Sequence, residues 1–128
     1  MESVSPAGLL LLLALLQLKH ALCDGPLQTR RMVAAKGRYG SPGGLAHAGL
    51  HGAGSLLALL AFGMAALPVL VLAAADAVIH YHTDFAKESV VRRAGWTPEN
   101  TYFWWAMTTD QLVHQLTYLA MALAVTLI

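Results

Sequence analysis

Charged residues make up only 12% of this 128-residue chain, against about 25% in ordinary soluble domains, and that shortage excludes a typical water-soluble globule. Cys23 is the single cysteine, so no internal disulfide can close and no CxxC pairing can build a zinc ribbon. Neither sign of charge dominates: eight Lys/Arg against seven Asp/Glu give a net +1, which sets aside nucleic acid as a partner of a broad basic face. GxSxG, P-loop and HExxH motifs are missing, and His47-x-x-x-His51 lacks the adjacent Glu of a zincin. Residues 1–8 contain Glu2 but no Lys or Arg. The Leu-rich run behind them therefore lacks the basic leader of a secretory signal and reads as a retained helix.

What the chain does have is apolar length: 57% hydrophobic residues and a mean hydropathy of +0.57. One crossing of a bilayer takes about 20 apolar helical residues. The expected fold is all-α, a four-transmembrane-helix bundle forming one domain over 1–128, with helices near 6–24, 45–62, 66–84 and 101–127. Ser5-Pro6 suits a helix start, and Gly25-Pro26 ends the first segment. Residues 45–84 form a run without Lys, Arg or Glu. As one helix it would measure about 60 Å, twice the hydrocarbon core, so it is expected to fold back near Gly63 to Leu67. Tyr102, Phe103, Trp104 and Trp105 precede the last apolar stretch as an interfacial belt would.

Two connections, 25–44 and 85–100, hold seven of the eight basic residues; the first has room for a short interfacial helix near Leu27 to Lys36. Four helices place both connections on one side, and the positive-inside tendency makes that side cytoplasmic. The lipid bilayer is the expected partner, with self-association left open.

The informative signal is the spacing of six His and four Asp. Five pairs stand four apart: His20/Asp24, His47/His51, Asp76/His80, His80/Asp84 and Asp110/His114. Chance placement would give about one or fewer. Spacing of four stacks two side chains on one helix face, so each expected helix carries one polar stripe. All four stripes fall toward the cytoplasmic end, where they can meet. Ionisable groups at such depth are costly facing lipid, so they turn inward and pair or bind something.

Three readings remain open. Imidazole with carboxylate suits a divalent metal such as Zn, Fe or Mn, held by His20, His47, His51, His80 and His114. Asp24, Asp84 and Asp110 would then serve as ligands, as acceptors fixing the rings, or as the general base of a membrane hydrolase acting on a membrane-delivered substrate. Eight such residues exceed the shell of one ion, so some lie outside it or two ions are held. The second reading is a structural or partner-binding module whose His/Asp network only fixes helix packing. The third, a metal or proton permease, needs a polar route through the outer halves, which hold almost no ionisable group. Asp76 lies a turn deeper and His82 points away from His80; the role of each is open. Gln28, Gln111 and Gln115 flank the stripes, Lys36 and Lys87 read first as interface anchors and second as holders of an anionic headgroup or phosphate at the mouth of the site, and Gly49, Gly52 and Gly54 as sites of close helix approach. Cys23 reads as a small core residue.

These pieces, taken in order, resemble a family of small bacterial integral membrane proteins known as domain of unknown function 3307. The resemblance spans nearly the whole chain. It rests on a Leu-rich helix ending in His20-x-x-x-Asp24 with Leu27-Gln28 and Lys36 behind it, on His47-x-x-x-His51, on His80-x-x-x-Asp84 followed by Lys87, and on Asp110-Gln111-x-x-His114. Gly25-Pro26 departs from the family, which has an aromatic residue after the Asp. The resemblance implies a bacterial inner-membrane location and no established activity.

Overall fold

The computed structural model describes residues 4–128. Its order is α1 (Pro6–Asp24), α2 (Arg30–Ala35), α3 (Pro42–Ala61), α4 (Ala66–Ala94) and α5 (Thr101–Leu127), with no strand among the described residues. The starts follow from local chemistry. Ser5, Thr29 and Ser41 each turn a hydroxyl onto a backbone N–H of the first helical turn, and Pro follows directly at α1 and α3, where its missing N–H costs nothing.

α1, α3 and α4, at 19, 20 and 29 residues, are long and apolar enough to cross a membrane. The expected count of four is corrected to three. α5 has the length, at 27 residues, but Asp110, Gln111, His114, Gln115 and seven Thr/Tyr side chains lower the hydropathy along it. Its lower part is built to face a polar interior rather than hydrocarbon.

Two boundaries move outward. α3 begins at Pro42 rather than near 45, because Ser41 supplies the cap. α4 continues ten residues past Asp84 to Ala94, through a segment expected to be a connection. Polar composition does not stop a helix, and nothing between Asp84 and Gly95 breaks one. Arg92 Nε donates to Glu88 one turn back at 3.0 Å, a spacing that supports helix. Gly95 ends it with φ 65°, a left-handed conformation favouring glycine. Its N–H bonds to Arg92 O and that of Trp96 to Val91 O, closing the open carbonyls of the last turn.

The four long helices close a ring, with α1 against α3, α3 against α4, α4 against α5, and α5 against α1. One end of the ring is apolar: Leu12, Leu16, Leu59, Val69, Met121 and Val125 form its core. The other end holds nearly every buried polar group. The α3–α4 seam is tight there, since a Cβ on Gly52 would lie 3.0 Å from that of Ala77.

α2 packs on α3, and Ser41 Oγ donates to Ala35 O at 2.8 Å. Fastened this way, the end of α2 turns Lys36 inward. The lysine is 8% exposed, which corrects its reading as an interface anchor.

Candidate metal centre

Each stripe arrives on a different helix and all point into the ring. His20 and Asp24 come from α1, His47 and His51 from α3, His80 and Asp84 from α4, and Asp110 and His114 from α5. His47, His51, His80 and His114 are at most 2% exposed. The four-residue spacing is what permits this, because it stacks donors without turning any of them toward lipid.

Asp24 stands at the centre. Its Oδ1 lies 3.1 Å from His47 Nε2, 3.1 Å from His51 Nε2 and 3.9 Å from His80 Nε2, while Oδ2 is 3.1 Å from His20 Nε2. Gly25-Pro26 behind it leaves this placement intact. His47 and His80 bring their Nε2 atoms within 3.2 Å of each other, and both lie 3.4 Å from Asp84 Oδ2. His114 Nε2 is 3.8 Å from Asp84 Oδ1 and 3.6 Å from Asp110 Oδ1.

Two sets of donor atoms converge within 4.8 Å: Asp24, His47, His51 and His80, and then His80, Asp84 and His114. His20 and Asp110 lie outside both sets. His20 is tied to Tyr118 Oη at 2.7 Å through Nδ1 and to Gln111 Oε1 at 3.0 Å through Nε2. Asp110 accepts from Gln111 Nε2, and its Oδ1 is buried without a hydrogen-bond partner. The rings stack, with centroids 3.4 Å apart for His51–His80 and 4.0 Å for His80–His114. Stacked imidazoles at that distance repel if both carry charge, so no two neighbours in the column are cationic together.

Two lysines complete the interior, one of which the sequence reading passed over. Lys36 Nζ pairs with Asp84 Oδ2 at 2.8 Å. Lys19 Nζ pairs with Asp76 Oδ2 at 2.6 Å, touches His51 O and Nδ1 at 3.3 and 3.4 Å, and lies 4.6 Å over the Tyr118 ring. Ser55 Oγ donates to the same Asp76 oxygen at 2.7 Å. Asp76 is thereby engaged one turn below the donors and belongs to neither converging set. His82 is on the outside, bonded to Tyr39 Oη and Val78 O. Cys23 is buried, its thiol 3.6 Å from Leu50 O.

With neutral imidazoles, four carboxylates (Asp24, Asp76, Asp84, Asp110) face two ammonium groups (Lys19, Lys36). Two negative charges remain, on Asp24 and Asp110, and neither has a Lys or Arg partner among the described residues. A carboxylate at this depth without a countercharge costs several kcal/mol. A divalent cation, or protons on two of the imidazoles beside Asp24, Asp84 and Asp110, would balance the interior.

A family model described as "Protein of unknown function (DUF3307)" matches residues 11–128. No curated protein and no solved structure matches the chain.

Proposed function

The chain belongs to the DUF3307 family, whose description assigns no activity, and we propose that it is a polytopic inner-membrane protein of bacteria that holds a divalent metal, Zn, Fe or Mn, for hydrolysis of a membrane-delivered substrate. The observation that carries the reading is Asp24: a carboxylate without a Lys or Arg partner whose Oδ1 lies within 3.1–3.9 Å of three imidazole Nε2 atoms. Three spans put the 25–41 connection and the end of α4 on one side, and their basic residues make that side cytoplasmic.

Asp24, His47 and His80 are the core ligands. His51 plays a different part, because the Lys19 ammonium on its Nδ1 can only donate, which leaves the ring proton on Nε2 and directs it at Asp24. His51 then orients the carboxylate. Three protein ligands leave a coordination position open, the mark of a catalytic rather than a structural site. The chemistry that a metal held by Asp24, His47 and His80 would supply is the acidification of water toward neutral pH. Asp110, whose Oδ1 is unpartnered and stands 3.6 Å from His114 Nε2, is our candidate for the general base. Asp84 is held by Lys36 and lies beside the metal position, its Oδ2 3.4 Å from His80 Nε2.

A second reading is favoured by the two buried lysine–carboxylate pairs. They fix α1 to α4 through Lys19–Asp76 and α2 to α4 through Lys36–Asp84, as a network serving packing alone would. Elemental analysis of protein purified in mild detergent without chelator separates the two. About one transition-metal ion per chain, lost in His47→Ala and in His80→Ala, supports the metal site. Metal-free protein that also fails to take up Zn, Fe or Mn on dialysis leaves only the packing network.

A further inference from the structure

Three apolar grooves run along the helix seams, and one leads to the polar centre. Between α4 and α5 a groove of about 610 Å³ is walled by Val90, Trp96, Tyr102, Trp105, Ala106 and Val113. Beyond Val113 the same seam opens into a second apolar groove of about 390 Å³, lined by Leu72, Ile79 and Leu116 among others. Together they form a track along the outer side of the α4–α5 seam. The α1–α3 groove, by contrast, meets the interior through Lys19 and Cys23, and Lys19 is occupied by Asp76.

Lys87 and Asp110 line the α4–α5 groove and also line a polar cavity of about 570 Å³ that contains His20, Asp24, Gln28 and Gln111. They form a shared wall between an apolar track and the donor cluster. Gln28 and Asp110 both line this cavity, and one oxygen of each, Gln28 Oε1 and Asp110 Oδ1, is buried with no hydrogen-bond partner. With His20, Asp24, Gln28, Lys87, Asp110 and Gln111 in its wall, the cavity suits a polar guest. Lys87 is the wall's cation. It sits 3.5 Å from Glu88, whose other oxygen is engaged by Arg92 at 3.0 Å, and its ammonium is the more loosely held of the two.

We propose that the α4–α5 track holds the hydrocarbon chain of a membrane phospholipid of net negative charge, with Lys87 contacting the phosphate, which in such a lipid has no cationic headgroup of its own, and the headgroup reaching the polar cavity past Asp110. This deepens the metal-hydrolase reading by naming its substrate class, and it rests on that reading only for the fate of the headgroup. An amphiphile is the occupant that fits both sides of one wall at once. A soluble anion has no use for the track, and a bulk neutral lipid has no use for Lys87.

The groove contains Trp96 and Trp105, which makes it readable by fluorescence. In a Trp104→Phe background, the protein is placed in phosphatidylcholine vesicles carrying a minor fraction of phosphatidylglycerol, with bromine on the chains of one lipid at a time. Brominated phosphatidylglycerol should quench at least about threefold more strongly per molecule than brominated phosphatidylcholine, a preference of about 0.7 kcal/mol. Lys87→Gln should bring the ratio to one, Lys87→Arg should keep it, and Ala106→Leu, which narrows the track, should lower quenching by the anionic lipid. Equal quenching by the two lipids in the unmutated groove, or a ratio unchanged in Lys87→Gln, overturns the proposal. Metal content measured on the same samples keeps the two ideas apart. A lipid preference in metal-free protein sinks the metal and leaves the lipid site, and metal without a preference does the reverse.

Discussion

The Lys19–Asp76 pair offers the sharpest energetic test of how the polar end is held. Its atoms are 2.6 Å apart, and its side chains are 8% and 2% exposed, so neither charge has water to fall back on. Removing one partner of such a pair costs about 3–5 kcal/mol, mostly through the charge left behind. The two single variants should differ. Lys19→Met leaves a carboxylate with only the Ser55 hydroxyl, whereas Asp76→Asn leaves an ammonium still resting on His51 O and the Tyr118 ring. Lys19→Met should therefore lie at the upper end of that range and Asp76→Asn at the lower. In the double variant no charge is stranded, and its loss should fall short of the sum by about 3 kcal/mol. Reversible unfolding in mixed detergent–SDS micelles, followed by far-UV circular dichroism, measures all four corners of the cycle. Additivity within about 0.5 kcal/mol would refute a direct ion pair.

Tyr118→Phe removes the 2.7 Å partner of His20 Nδ1 and should cost about 1–3 kcal/mol in the same unfolding assay, with metal content retained. Gly52→Leu forces a side chain against Ala77 and Ala73 O at the α3–α4 seam; it should separate the stacked His51 and His80 rings and lower metal content as far as His80→Ala does. His82→Ala, on an exposed ring outside the cluster, should leave both stability and metal content unchanged. Cysteines placed at positions 30 and 93 in a Cys23→Ser background should label from the same face of sealed vesicles, and one at position 63 from the opposite face; labelling of all three from one side would refute the three-span topology.

How legible the molecule was in its sequence depended on whether the deciding contact was local. The start of α1 followed from Ser5 and Pro6, because a cap acts within four residues. The end of α4 did not follow from charge. The change to polar residues after Asp84 marks where the helix leaves an apolar setting, while only Gly95 stops it. Counting spans by helix length overlooked how much of α5 is polar, and the same residues that disqualify it as an apolar span give the centre its Asp110 and His114. The His/Asp stripes were legible because an interval of four has one geometric meaning on a helix. Carried one step further, the same interval reaches the layer that was missed: Ser55 stands four after His51, and Tyr118 four after His114. Both hydroxyls bond into the interior, to Asp76 and His20. Lys19 also left a signal, as the one basic residue inside an apolar helix, where a charge demands a partner. Lys36 left none. Its inward turn depends on Ser41 holding Ala35 and on Asp84 waiting across the ring, contacts between segments that no local spacing encodes. The hidden part of the site is thus its countercharges, which pair Asp76 and Asp84 with lysines and leave Asp24 and Asp110 without a Lys or Arg partner among the described residues.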